Sequence, residues 1–165
     1  MLIVETGTSL PNSESYASVA AADACCTALG VTDWLPLTEG AKEIALRVAT
    51  QFMLANYRQR WAGRRVYQAQ ALDWPRYDVC ADGFLVPSNV VPAEVVNACI
   101  DLAARSARGE ELMPDLDRTI SRETVGPITT VYENGAAESP RFRAVDRMLE
   151  PYLCGSSTSG RLVRG

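Results

Sequence analysis

The sequence predicts a mainly α fold: a bundle of about four helices, with a β-ribbon or long loop between the last two helices and extended termini. Three observations carry this expectation. Helix-start and helix-stop residues bracket successive stretches, pairing Ser18 with Gly30, Thr38 with Gly63, Pro92 with Gly109, and Ser139-Pro140 with Pro151. Apolar residues recur at helical spacing inside those stretches. Two β-like runs, Thr119 to Val125 and Ile128 to Glu133, meet at Gly126-Pro127 and close at Asn134-Gly135.

In chain order, residues 1 to 17 read as an extended arm, with a short strand possible over Leu2-Ile3-Val4 and turn formers from Gly7 to Ser15. Ser18 caps a first helix, Val19 to Leu29, whose apolar side chains are mostly alanine. Trp34, Leu35 and Leu37 form an apolar linker around Pro36, and Thr38 caps the central helix, Glu39 to about Trp61. On that helix Ala41, Ile44, Ala45, Leu46, Val48, Ala49, Phe52, Met53, Ala55 and Tyr57 fill an arc of roughly 220°. Glu43, Arg47, Thr50, Gln51 and Arg58 hold the wet strip. An apolar arc this wide predicts a helix contacted from several sides, the hub of the fold.

Residues 62 to 91 read as a structured loop, punctuated by Pro75, Asp82-Gly83 and Pro87. Trp61 and Trp74 at its edges are expected to pin it to the hub as structural anchors, leaving its arginines to project. Pro92 opens a third helix running to about Arg108. Its apolar face is Val95, Val96, Cys99, Ile100, Leu102, Ala103 and Ala107, with Glu94, Asn97, Asp101, Arg105 and Arg108 opposite. The ribbon over 119–133 lacks a convincing apolar face, and an isolated two-stranded ribbon is marginal in water, so it should pack on the body or on another chain. A last helix runs to about Glu150, and from Gly155 a Gly/Ser linker leads to Arg161-Leu162-Val163-Arg164-Gly165. That end reads either as a frayed terminus or as a tethered peptide offered to a partner by strand addition.

Composition narrows the function. The chain has 165 residues, and its net charge is −4, whereas a general nucleic-acid coat should be basic. Its cations are nearly all arginine, Lys42 being the only lysine; arginine suits protein interfaces as well as phosphates. The absence of histidine removes Ser-His-Asp and Cys-His catalysis and the usual zinc ligands. The five cysteines show no C-x-x-C spacing and read as reduced, mostly buried thiols. No catalytic residue, metal site or cofactor is predicted, and no apolar run approaches the roughly 18 residues of a membrane span. The default expectation is a soluble, intracellular, non-enzymatic protein.

Two binding readings remain. Arg58, Arg60, Arg64, Arg65 and Arg76 fall among Tyr57, Trp61, Tyr67 and Trp74, and basic residues interleaved with aromatics are what single-strand binding uses. Against that, the aromatics can be core and the arginines can pair with the chain's acids. The protruding ribbon, long loop and tail point instead to an assembly subunit.

A set of ordered segments carries a family resemblance: Tyr16-Ala17-Ser18-Val19, Ala22-Asp23-Ala24, Trp34 before a Thr-capped helix, Arg64-Arg65, Gln70-Ala71-Leu72-Asp73-Trp74-Pro75-Arg76, Val91-Pro92-Ala93, and Glu123-Thr124-Val125-Gly126-Pro127-Ile128 through Tyr132. From about Leu2 to Leu153 the chain resembles head-tail connector adaptor (head completion) proteins of long-tailed bacteriophages, a family sometimes labelled DnaT-like single-stranded DNA-binding protein. Cys25-Cys26 departs from it, where bulkier, often aromatic residues are expected. The resemblance implies a single adaptor-like helical domain over 1–154, followed by an interaction tail over 155–165. It implies a structural protein of the virion neck, made in the host cytoplasm and assembled as a homo-oligomeric, commonly dodecameric ring under the portal protein. A stopper or tail-terminator protein would follow, with genomic double-stranded DNA passing through the lumen without specific binding. On this reading Arg161, Leu162, Val163 and Arg164 bind the portal, and Arg64, Arg65, Arg76, Arg122, Glu123, Thr129 and Thr130 meet neighbouring subunits or rings. The alternative is a DnaT-like single-stranded DNA-binding replication protein.

Overall fold

The computed structural model describes residues 1–114, 122–125, 128–131 and 142–154. Helix α1 spans Val19–Ala28, α2 Glu39–Tyr57, α3 Ala93–Ala107 and α4 Arg143–Leu149, the last running into a 3₁₀ turn at Glu150–Tyr152. Between α2 and α3 lie four two-residue strands: β1 (Arg64–Arg65), β2 (Arg76–Tyr77), β3 (Cys80–Ala81) and β4 (Phe84–Leu85). Strands β5 (Arg122–Val125) and β6 (Ile128–Val131) follow α3. They pair as three separate antiparallel ribbons, β1 with β2, β3 with β4 and β5 with β6, the last with Arg122 opposite Val131 and Glu123 opposite Thr130.

Side-chain caps start the first two helices. Ser18 Oγ accepts from Ala21 N–H at 3.1 Å and Thr38 Oγ1 from Ala41 N–H at 3.3 Å. The central packing is α2 against α3, with Leu46, Ala49, Phe52 and Met53 facing Val95, Ala98, Cys99, Leu102 and Ala103, all buried. Helix α4 packs on α3 through Val145 and Leu149. Helix α1 buries only Ala22 and Cys26. Its small side chains leave the bulk to Trp34, which is fully buried and donates its indole N–H to Asp23 Oδ1 at 2.7 Å. The same carboxylate takes Lys42 Nζ at 2.8 Å, so the only lysine ties α1, the Trp34 linker and α2 together.

These four helices do not form a four-helix bundle, and the expected mainly α architecture is corrected to a mixed α/β one. Helix α1 is ten residues with two of them buried, and α4 is seven residues, so neither can act as a full bundle member. Core volume on that side is filled by the segment after α2, which buries Trp61, Leu72, Trp74 and Val79. Strands of two residues are too short to leave a period-2 pattern, which is why the segment reads as loop in the sequence. The hub helix also stops at Tyr57 rather than near Trp61. Ile44 and Ala55 lie on its exposed side, and Thr50 turns inward, donating to Leu46 O at 2.9 Å beside the Cys99 thiol. Residues Ser139-Pro140 and the tail from Gly155 lie outside the described residues.

The N-terminal arm is organised by Glu5. Its buried carboxylate accepts from the N–H groups of Gly7 (2.8 Å), Ser9 (2.9 Å) and Leu10 (2.8 Å) and from Ser13 Oγ (3.3 Å). This closes residues 5–13 into a loop, and Glu5 N–H in turn reaches Ser15 O at 2.9 Å.

Candidate functional site

The block that carries the chain's distinctive chemistry, Tyr57 to Tyr77, begins where α2 ends. Cys154 N–H donates to Arg60 O at 2.7 Å and Ala62 N–H to Tyr152 O at 2.9 Å, so the segment after α4 runs antiparallel to the start of the block. This brings aromatics from four parts of the chain into one row: Phe142, Phe52, Tyr57, Trp61, Trp74 and Tyr152, with successive ring centroids 5.2, 6.3, 5.8, 5.7 and 5.6 Å apart. Four of the five contacts are edge-on, the geometry the aromatic quadrupole favours. Trp61 and Trp74 are buried. They hold the segment to α2 and offer no face for a base to stack on.

The arginines sort by burial. Arg76 is buried and its guanidinium is used within the chain: Nε donates to Ala62 O (2.7 Å), Nη2 to Gly63 O (2.8 Å) and Nη1 to Asp73 O (3.1 Å). Arg65 is half-buried and donates to Gln70 O. Gln70 ties the turn further, accepting from Tyr67 N–H at 2.9 Å and donating to Leu72 O and Pro75 O. Arg58, Arg60 and Arg64 are exposed, each beside a carboxylate: Asp73 at 3.5 Å, Asp146 at 3.8 Å and Asp78 at 3.3 Å. Of the residues the sequence assigns to an interface, Arg64 is therefore on the surface and Arg76 is not. Arg122, Glu123, Thr129 and Thr130 pair across β5–β6, their side chains outside the described residues, as are Arg161, Leu162, Val163 and Arg164.

Asp73 is the group that sequence reasoning passes over. It is fully buried, its N–H donates to Tyr16 Oη at 2.9 Å, and neither side-chain oxygen has a hydrogen-bond partner among the described residues. Burial raises its carboxyl above the usual range, and the nearby Arg58, Arg76 and Arg65 charges pull it back only in part. Arg58 is itself half in solvent, and Arg76's donors are committed to carbonyls, so the desolvation outweighs the attraction. A carboxyl raised in the folded state binds its proton more tightly there than in the unfolded chain. This group's contribution to stability is then fully present below the unfolded value near 3.9 and is lost as pH rises through the folded one. Asp73→Asn is expected to be at least as stable as the natural chain at neutral pH and to flatten that fall; urea melts of both from about pH 4 to pH 8 measure it.

The β1–β2 ribbon and its connection carry one exposed cation, Arg64, together with the exposed aromatics Tyr67 and Tyr77. The Arg64 guanidinium lies 5.9 Å from the centre of the Tyr77 ring, its partner across the register. Tyr67, in the connection, is exposed. Arg60 similarly covers the Tyr57 ring at 5.2 Å. Among the described residues no group of three or more His, Cys, Asp or Glu is placed to hold a metal ion, and no helix is long and apolar enough to cross a membrane. All five cysteines are free; the Cys99 thiol, buried against Ser15 and Thr50, is pushed up by its burial.

Compared with known families, residues 1–165 match the family described as "Putative DnaT-like ssDNA binding protein". The match spans the whole chain, and the chain belongs to that family. Its description names a binding activity and not a reaction. No curated protein and no solved structure matches.

Proposed function

We propose that this DnaT-like family member is a non-enzymatic protein that binds single-stranded DNA, using the exposed face of the β1–β2 ribbon. The observation that carries the reading is the solvent-exposed Arg64 with its guanidinium over the exposed Tyr77 ring, Tyr67 being exposed in the same ribbon's connection. A base can slide onto an exposed tyrosine face while the guanidinium meets the adjoining phosphate, a pairing that tolerates any sequence. The net charge of −4 and the pairing of Arg58, Arg60 and Arg64 with carboxylates make the affinity modest and dependent on salt. In fluorescence anisotropy with a labelled oligothymidylate, Tyr77→Ala is expected to weaken binding about 5-fold or more, the loss of one stacked base at roughly 1–3 kcal/mol. Binding should fall steadily with added salt. Absence of binding at low salt, or a Tyr77→Ala variant that binds as well as the natural chain, refutes the reading.

A second reading is favoured by a different observation. The β3–β4 tip exposes Phe84 and Leu85, an apolar surface that suits protein contact better than DNA. On this reading the chain is a head-tail connector adaptor of the virion neck. Copies form a ring, commonly dodecameric, beneath the portal; the segment Arg161 to Arg164 anchors in the portal; a stopper or tail-terminator protein follows; and double-stranded DNA passes through without specific binding. Deleting residues 155–165 should stop heads joining tails, and truncated protein that still joins them normally removes the anchoring role. An oligonucleotide affinity tighter than about 1 µM near physiological salt favours the first reading over this one.

A further inference from the structure

The acids beside the three exposed arginines of the block are not equivalent. Asp73, beside Arg58, is fully buried. Asp146, beside Arg60, also accepts from Tyr57 Oη at 2.8 Å. Asp78 lies in solvent beside Arg64, with Oδ2 3.3 Å from Nε and the two side chains 71% and 77% exposed. An ion pair this open contributes little to the fold. Its consequence falls on what else the Arg64 guanidinium can meet.

The backbone holds the pair in place. Arg64 stands opposite Tyr77 across the β1–β2 register, so both side chains leave the same face of the ribbon. Gly63, at φ 66°, lies against the second strand, and a Cβ there would strike the Tyr77 carbonyl. Asp78 follows at φ 59°, a left-handed conformation that Asp and Asn adopt more readily than most side chains. The guanidinium is therefore bracketed by the Tyr77 ring, 5.9 Å from its centre, and by the Asp78 carboxylate.

This puts a carboxylate where a phosphate has to go. A phosphate that meets Arg64 over the Tyr77 ring comes to the same guanidinium, and two anions at one cation repel each other. We propose that Asp78 is an intramolecular competitor that sets the affinity of the ribbon for single-stranded DNA: Arg64 leaves Asp78 for a phosphate, and every binding event breaks that pair. This role of Asp78 rests on the ribbon binding single-stranded DNA and names the residue that limits it. The exchange also marks the salt dependence. A phosphate replacing Asp78 takes over a cation already neutralised, and the freed carboxylate gathers a counterion as the DNA releases one. Net ion release at Arg64 is then near zero, against about 0.7 for an unpaired cation on a single strand.

Fluorescence anisotropy of the full chain with the labelled oligothymidylate, across a salt series, tests the competition. Asp78→Asn keeps a side chain suited to the left-handed backbone and loses the charge. It should bind about 2- to 5-fold more tightly, the worth of one exposed ion pair. Its slope of log affinity against log salt should be steeper by about 0.7. Glu111→Gln, the same charge change at an exposed position after α3, should do neither. In an Arg64→Gln background, Asp78→Asn should gain no more than Glu111→Gln does. Asp78→Gly, which also suits this backbone, takes its place if Asp78→Asn melts early. Three results overturn the competition and leave ribbon binding standing: Asp78→Asn binds no more tightly than the natural chain, binds more weakly because Asp78 positions Arg64, or gains as much without Arg64. If neither the natural chain nor Asp78→Asn binds at low salt, the ribbon site and the competition both fall.

Discussion

Arg76→Met is expected to destabilise the chain by about 3–5 kcal/mol, the cost of breaking a buried, hydrogen-bonded charge site from one side. The methionine matches the apolar stem but supplies none of the three donors that hold the carbonyls of Ala62, Gly63 and Asp73. A carbonyl left buried without a donor costs about 1–3 kcal/mol, which applies in full to the enclosed Asp73 carbonyl and in part to those of Ala62 and Gly63. The loss should spread along the chain, because these carbonyls fix both the turn after α2 and the bend before β2. Arg76→Lys should recover only part of it, since a single ammonium cannot reproduce a planar fork with three fixed directions. Urea denaturation reads the result as a fall in midpoint with an unchanged slope. A change below about 1 kcal/mol would mean that the guanidinium is not holding the block, and would return Arg76 to the interface role its sequence suggests.

Trp74→Ala should cost a similar amount, about 3–5 kcal/mol, by opening a cavity in the middle of the aromatic row. Trp74 is fully buried, with Trp61 at 5.7 Å on one side and Tyr152 at 5.6 Å on the other. The space cannot close easily, because both neighbours are held by the backbone hydrogen bonds that join residues 60–62 to 152–154. Trp74→Phe should cost far less. It keeps the packing ring and removes an indole N–H that has no partner among the described residues. Thermal and urea melts measure both variants. The same two variants separate a structural tryptophan from a stacking one. A DNA-stacking Trp74 would lose oligonucleotide affinity at full stability, whereas a core Trp74 loses stability first.

Helix starts were legible because they are local. Ser18 and Thr38 cap through their own side chains, and the α3 face Val95, Cys99, Leu102 and Ala103 is buried as its spacing requires. Trp61 and Trp74 are buried, as two large aromatics flanking a long polar segment suggest. The roles of the arginines were not legible. Arg64 and Arg76 are the same residue in the same block, yet one stacks on Tyr77 in solvent and the other is enclosed by three carbonyls. Asp73 gave no signal, since a carboxylate next to tryptophan reads as any loop acid until its burial is known. Phe84 and Leu85 gave no signal either, since nothing local to them foretells that they stand in solvent.

What the sequence alone determined is what depends on neighbours within a few residues: where the first three helices begin, most of the inward face of α2 and α3, and that the chain has no histidine. What only the tertiary structure decided is how those pieces meet. It packed the segment after α2 into the core through Trp61, Leu72, Trp74 and Val79, joined residues 152–154 to 60–62, and committed Arg76 inward while leaving Arg64 outside. The physical reason is range. Caps and periodicity are set by backbone geometry over one or two turns, whereas the partner of a buried carbonyl or an indole ring is chosen by whichever distant segment fills the remaining space.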